Sequence, residues 1–420
     1  MRETGIFAAM TANSYIHRLL DDRIEELLGA HPALLVTGPR ATGKTTTAAR
    51  HCKTILRMDS PAQASVAEAD PDALLHGLDE PILIDEWQLQ PQMVGAVKRA
   101  VDASPRPGRF ILTGSAAHQR SMTLWPGTGR LLHVAMWPMS ARELRRDAED
   151  VTGLLAALCS GAFDIDEWHS DFGGLRHLLD ITLRSGFPQP AVRLGEEQRV
   201  AWLTSYLDQV ITHDLDTSRR DPGRLSRYLE ALALHTSTVT GDVALQRAAG
   251  IDRRTAIAYE KLLVDTGILV QLPAWWSNRL KRLVQRPKRL LCDAALAAAA
   301  ARLSREGLMR DGTMLGRVIE TYAVMQLKAS VDAELAQARM FHLRTEQGRH
   351  EVDIVVELAD RRVVAFEVKV GVAPTAQDAR HLIWLREQLG ESFVGAVVLH
   401  AGHRAFSLHE RIWAVPIARL

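Results

Sequence analysis

Residues 37–50 read TGPRATGKTTTAAR, in which Gly38, four residues, Gly43, Lys44 and Thr45 have the spacing G-x-x-x-x-G-K-[ST]. This run constrains its neighbours more than any other stretch of the chain. A glycine-bounded loop cradles an anion only if a strand delivers the chain to it and a helix N-terminus leads away. Both flanks comply. ALLVTG, residues 33–38, is an apolar run ending in glycine, as a strand buried on both faces reads. KTTTAARHC then opens a helix. In that setting Gly38, Pro39, Arg40, Ala41, Thr42 and Gly43 are expected to surround a β-phosphate. Lys44 reaches the β- and γ-phosphates, Thr45 binds Mg²⁺ through its hydroxyl, and Thr46 closes the cradle. The expected cofactors are ATP and Mg²⁺.

The next strands fit the same site. Ile82-Leu83-Ile84 is a short buried run that ends in Asp85-Glu86, about 40 residues after the loop. A carboxylate at such a strand end can hold Mg²⁺ through water, and Glu86 is placed to orient and deprotonate the attacking water. RFILTGS ends in Thr113 and Ser115, candidates for contact with the γ-phosphate side, and ILRMDSP adds a strand with Asp59 at its end. Strands alternating with helices imply a parallel sheet with its ligand at the strand C-termini.

A chain of 420 residues has room for two to four domains. Its net charge of +1 gives no chain-wide field that would draw nucleic acid, so any basic surface must be local. Cys52, Cys159 and Cys292 are far apart and form no C-x-x-C pair, which suggests a reducing compartment and no cysteine-rich zinc site. The N-terminus lacks a sustained apolar run, and nowhere do about 18 apolar residues follow one another. A cytoplasmic location without membrane insertion is expected.

Residues 146–235 carry helical periodicity. Trp202, Leu203, Tyr206, Leu207, Val210 and Ile211 fall on one face and read as core. In residues 240–276 a short helix ends at Gly250, IDRR forms a turn, Thr255 caps a second helix ending at Gly267, and ILVQL is a strand. Helix, turn, helix and strand suggest a winged helix, used either on nucleic acid or for protein packing. Residues 266–292 contain no acid but carry Arg279, Lys281, Arg282, Arg286, Lys288 and Arg289, with Trp275 and Trp276 alongside. Of these, Lys281, Arg282, Arg286, Lys288 and Arg289 are expected to contact DNA phosphates.

Residues 341–371 read as strands joined by tight turns. If Ala359, Asp360 and Arg361 form a three-residue loop, Leu358 faces Arg362 and Asp353 falls directly opposite Glu367. Directly opposed residues share a face with Cβ atoms about 5 Å apart. Lys369, two residues past Glu367, points the same way. Two carboxylates so close repel unless a cation lies between them.

YIHRLLDDRIEELL, the phosphate loop, LRMDSP, PILIDEWQLQP, RFILTGS, GTGRLLHVAMWPMSARELRR, SGFPQP, YLDQVITHDL and LPAWWSNRLKRLVQRPKRLLCD follow one another in order. Together they resemble AAA+ ATPases whose C-terminal half is the domain of unknown function DUF4143. The resemblance implies that Lys44 works with Asp85 and Glu86, and that Gly129-Arg130 supplies an arginine finger or sensor. The D…E-x-K pattern resembles PD-(D/E)xK restriction-endonuclease-like nucleases. That likeness implies metal ligation by Asp353 and Glu367, a catalytic role for Lys369, and a helical glutamate at Glu320 in LGRVIETYAVMQL. Val352 stands where those nucleases usually carry proline.

The expected architecture is multidomain α/β: a P-loop AAA+ domain (1–145), a helical lid (146–235), a winged helix with basic strip (236–290) and a restriction-endonuclease-like domain (291–420). The expected activity is ATP-driven engagement or remodelling of DNA by a homo-oligomer, a hexameric ring, with metal-dependent cleavage as a further activity. The alternative is an ATP-dependent switch that docks a protein partner, with an inactive nuclease-like domain used for binding.

Overall fold

The computed structural model describes residues 15–114, 129–147, 152–212, 221–275, 286–335, 337–345 and 348–420. Five short apolar segments pair as a parallel sheet: β1 (Ala33–Thr37), β2 (Thr54–Arg57), β3 (Ile82–Asp85), β4 (Phe110–Thr113) and β5 (Leu131–Ala135). Their order is β2-β3-β4-β1-β5, so β4 lies between the phosphate-loop strand and the strand ending in Asp85. Alternation sorts the side chains to two faces. Ala33, Leu35, Ile82, Ile84, Phe110 and Leu112 pack with helix Gln92–Ala103, and Leu34, Val36, Leu83 and Ile111 with helix Leu19–Ala30. A strand buried on both faces needs apolar residues at every position, which is why β1, β3 and β4 read as unbroken apolar runs.

Helices follow from Leu154 to Leu234, among them Glu196–Thr212, which buries Leu203, Tyr206, Leu207, Val210 and Ile211. Helix Asp242–Ala249 stops at Gly250, whose φ of 64° is the left-handed conformation a helix end commonly requires. Helix Arg253–Asp265 follows. Its cap is Asp252, not Thr255: the Asp252 carboxylate accepts the Thr255 N–H at 3.0 Å. β6 (Leu269–Leu272) then pairs antiparallel with β7 (Lys288–Leu291).

The C-terminal region is a six-stranded sheet of β8 (Arg339–Arg344), β9 (Glu351–Glu357), β10 (Val363–Lys369), β11 (Phe393–His400), β12 (Phe406–His409) and β13 (Ile412–Pro416). The order is β12-β13-β11-β10-β9-β8, antiparallel from β8 to β10 and parallel from β10 through β11 to β13. Val355, Val363 and Ala365 pack with helix Arg380–Leu389. Ile354, Val356, Val364 and Phe366 share a core with helix Gly312–Glu334. That core continues into the middle helices and reaches from Leu154 to Leu420, while the cluster under helix Arg380–Leu389 stays separate on the other face of the sheet. Among the described residues no helix is long and apolar enough to cross a membrane.

Candidate functional site

The phosphate loop leaves β1 at its C-terminal end, where β3 and β4 also finish. Ala41 (φ 59°) and Gly43 (φ 94°) are left-handed, and such turns bend successive backbone N–H groups towards a common concavity. Gly38 lies so close to β5 that an added Cβ would sit 2.1 Å from the Met136 carbonyl oxygen. Lys44 begins the following helix and is buried. Its Nζ donates to the Pro39 oxygen at 2.8 Å and the Gly38 oxygen at 3.2 Å. Burial lowers its pKa to about 8, while the nearby Glu86 opposes that shift. The Thr45 hydroxyl donates to Asp85 Oδ1 at 2.8 Å, and the Thr113 hydroxyl donates to the same oxygen at 2.5 Å. A hydroxyl and a carboxylate side by side offer the hard oxygen ligands that Mg²⁺ takes, and the buried ammonium and the loop N–H groups suit the anionic oxygens of a polyphosphate. Glu86 stands just past Asp85 in the left-handed region (φ 54°), with its Oε2 accepting from the Gln88 amide. Pro39, Arg40, Ala41, Thr42 and Thr46 complete the loop. Of these Arg40, Ala41 and Thr46 are exposed, whereas Thr42 is buried with its hydroxyl on the Pro39 oxygen at 2.9 Å.

Sequence reasoning missed Arg18. Its buried guanidinium donates to the Thr42 oxygen at 2.8 Å, to the Trp137 oxygen at 2.7 Å and to Glu143 Oε1 at 2.8 Å. Glu143 is buried too and also accepts from the Leu19 N–H. The phosphate loop is thus braced from behind by an ion pair between residues 125 positions apart.

The middle region reaches the same loop. Gly267, in the turn between helix Arg253–Asp265 and β6, has φ 77°, and an added Cβ would lie 3.0 Å from the Pro39 nitrogen. Tyr206 donates to the Arg40 oxygen at 3.3 Å.

Arg130 does not join this cluster. It precedes β5, whose first residue Leu131 is level with Ala33 at the start of β1, so it lies at the opposite edge of the sheet from the loop. Five residues of strand separate the two edges, roughly 16 Å at about 3.3 Å per residue. There Arg130 pairs with Asp102 at the surface. A role for Arg130 in its own subunit's site is therefore excluded. Ser115, Lys281 and Arg282 lie outside the described residues.

In the C-terminal sheet the ladder runs Val363↔Glu357 to Phe366↔Ile354, and the Leu358 N–H donates to the Arg362 oxygen at 2.8 Å. The turn has three residues, and the paired ladder ends one position short of Asp353 and Glu367. Asp353 Oδ2 accepts the Val368 N–H at 2.9 Å. Lys369 Nζ lies 2.7 Å from Glu367 Oε1. Glu320 closes the cluster from helix Gly312–Glu334, but it meets no metal-shaped gap. Lys288 Nζ lies 2.5 Å from Glu320 Oε1 and 3.4 Å from Asp353 Oδ1. Burial, and then the charge of Asp353, raise the pKa values of both Glu320 and Glu367. Among the described residues no three His, Cys, Asp or Glu side chains are disposed to hold a metal ion. Asp353 and Glu367 each have a cation of the chain beside them, the Lys288 ammonium near Asp353 Oδ1 and the Lys369 ammonium on Glu367 Oε1.

The expected DNA contacts of Lys288 and Arg289 are corrected. Lys288 is 1% exposed and Arg289 7%. Arg289 donates to Glu260 at 2.9 Å and Asp242 at 2.6 Å, clamping both helices of the helix–turn–helix to β7. Neither side chain can reach a phosphate backbone. Arg286 remains exposed. Trp275 is core, 4% exposed, with its indole N–H on Glu357 at 2.7 Å.

Comparison with known proteins agrees with this layout. Family profiles match residues 30–145 (AAA domain), 175–307 (domain of unknown function DUF8612) and 315–420 (domain of unknown function DUF4143). Two relatives, the uncharacterized proteins Mb2031c of Mycobacterium bovis and Rv2008c of Mycobacterium tuberculosis, are each 25% identical over 400 residues, covering 94% of this chain and 82% of the relative. Among solved structures, the Walker-type ATPase PABY2304 of Pyrococcus abyssi is 15% identical and covers 67% of this chain and 94% of its own, with a TM-score of 0.41. A point mutant of Thermotoga maritima RuvB is 17% identical and covers 60% and 89%, with a TM-score of 0.27. By these matches the chain carries an AAA domain towards its N-terminus, at residues 30–145, and a DUF4143 domain towards its C-terminus, at residues 315–420.

Proposed function

We propose that the chain binds and hydrolyses ATP and uses that cycle to engage DNA through its helix–turn–helix. The observation that carries the coupling is the contact of Gly267 with Pro39: the turn ending the second helix lies against the phosphate loop. A loop that tightens around polyphosphate shifts that turn, and with it the helix. On this reading the loop N–H groups and Lys44 bind the phosphates, Thr45 and Asp85 hold Mg²⁺, and Glu86 takes the proton of the attacking water. Bound Mg²⁺ would neutralise charge on the phosphate oxygens.

The helix–turn–helix and the β6–β7 ribbon are read as a winged helix. Arg247, Arg253 and Arg254 are exposed there, and they take the place of the buried Lys288 and Arg289 as phosphate contacts, beside Arg286. The decisive experiment measures ATPase rate without DNA and with single-stranded, duplex and four-way-junction DNA. Stimulation by at least one DNA is expected, falling steeply with salt because phosphate contacts release counterions. Changing Arg247, Arg253 and Arg254 together to Ala should remove the stimulation and flatten the salt dependence. ATPase activity indifferent to every DNA would overturn the DNA reading.

The second reading, a nucleotide switch docking a protein partner, is favoured by Val243 and Ile257, which are 59% and 58% exposed on the same two helices. Tight ATP binding with negligible turnover on all DNAs would select it.

Arg130 enters this proposal only across a subunit interface, in a homo-oligomeric ring, hexameric as the family resemblance implies. Arg130→Ala should then lower turnover about 10³-fold while sparing ATP affinity, the pattern of a transition-state contact. A monomer with full activity, or an unchanged rate in the variant, reduces Arg130 to a surface partner of Asp102.

A further inference from the structure

The acidic cluster of the C-terminal domain gathers carboxylates from three elements, yet its positive charge comes from within the chain. Three carboxylates meet there, from Glu320 on helix Gly312–Glu334, Asp353 on β9 and Glu367 on β10. They are joined by two ammonium groups. Lys369 Nζ is taken by Glu367 Oε1 at 2.7 Å and stays one-third exposed. Lys288 is different: its side chain is 2% exposed and comes from β7, outside the C-terminal sheet. Its Nζ bridges Glu320 Oε1 at 2.5 Å and Asp353 Oδ1 at 3.4 Å, the oxygens that a shared cation would use. The other oxygen of Asp353 is spent on the Val368 N–H. We infer that Lys288 is the resident cation of this cluster: its ammonium occupies the oxygens a divalent metal would need, which makes the DUF4143 region a non-cleaving domain tied to the helix–turn–helix by β7.

The strand geometry explains the tie. Successive residues of a strand point to opposite sides. Lys288 enters the acidic cluster of one domain, and Arg289 enters the Glu260–Asp242 pair of the other. Both cations are buried and both are matched by acids, so neither can be withdrawn without leaving unpaired carboxylates behind. A divalent ion could reach those oxygens only by displacing the ammonium that already lies on Glu320 Oε1 and Asp353 Oδ1. With Lys288 removed, the three carboxylates lose their neutralising charge, and a metal becomes the group that relieves their repulsion.

The test titrates Mn²⁺ into the full chain without nucleotide, following free Mn²⁺ by electron paramagnetic resonance and melting by thermal shift. The parent should show no Mn²⁺ binding that Asp353→Asn removes, and no Mn²⁺-dependent cleavage of single-stranded, duplex or branched DNA. Lys288→Ala should melt lower in EDTA than the parent. It should then take up one Mn²⁺ at least about tenfold more tightly than the parent and recover thermal stability, and Lys288→Ala with Asp353→Asn should lose both gains. If the parent binds one Mn²⁺ that Asp353→Asn abolishes, or cuts DNA through Asp353, the inference is overturned. A folded Lys288→Ala that gains no Mn²⁺ site overturns it equally. Lys288→Gln, which keeps most of the side-chain bulk, serves if the alanine variant does not fold. The parent measurement decides the matter if neither does.

Discussion

Lys44→Ala is expected to reduce ATP binding to background, and Glu86→Gln to retain binding while lowering turnover by about 10²- to 10⁴-fold, the range of a lost general base. The two substitutions act on different terms. Lys44 is the buried ammonium at the start of the helix that leaves the phosphate loop, held against the Gly38 and Pro39 carbonyls. Removing it deletes the buried ammonium that lies inside the loop, on the side opposite the Arg18 brace. Glu86 lies one residue past Asp85, in a left-handed turn held by Gln88. An amide there keeps the shape but cannot accept a proton. Equilibrium binding of a fluorescent ATP analogue and steady-state phosphate release separate the two. Near-normal turnover in Glu86→Gln would remove Glu86 from the catalytic role. Undiminished binding in Lys44→Ala would remove the phosphate loop itself.

Arg18→Ala is expected to destabilise the N-terminal domain by about 3–5 kcal/mol, because it breaks a buried ion pair by deleting one partner. Glu143, 2% exposed, would lose its guanidinium, and the Thr42 and Trp137 carbonyls would lose their donors. The phosphate loop would lose its brace, so ATP affinity should fall along with the stability. Replacing the pair together, Arg18→Met with Glu143→Leu, should recover much of the stability and little of the affinity, since apolar side chains fill the space but donate nothing to Thr42. Urea unfolding and ATP titration on the parent, Arg18→Ala and the double variant check this. A stability change under about 1 kcal/mol for Arg18→Ala, the range of exposed pairs, would show that the pair is solvated in solution.

What the residues alone determined depends on rules that act along the chain. The phosphate loop was legible because its glycine spacing, apolar strand and helix start are all local. The register of the hairpin that carries Asp353 and Glu367 was legible because a strand alternates with period two and a three-residue turn fixes the pairing. The parallel sheet followed from uninterrupted apolar runs ending in polar residues. The fate of charged side chains did not follow, because a cation's burial depends on acids that no local rule locates. Lys288 and Arg289 sit in an acid-free stretch and read as an exposed strip, yet their partners Glu320, Asp353, Glu260 and Asp242 come from up to 65 positions away. Arg18 and Glu143 are likewise paired only by folding. Arg130 follows a recognisable motif, but only the parallel pairing of β5 with β1 sets it at the sheet edge remote from the loop. Backbone geometry is written in the spacing of residues; electrostatic pairing is a property of the packed chain.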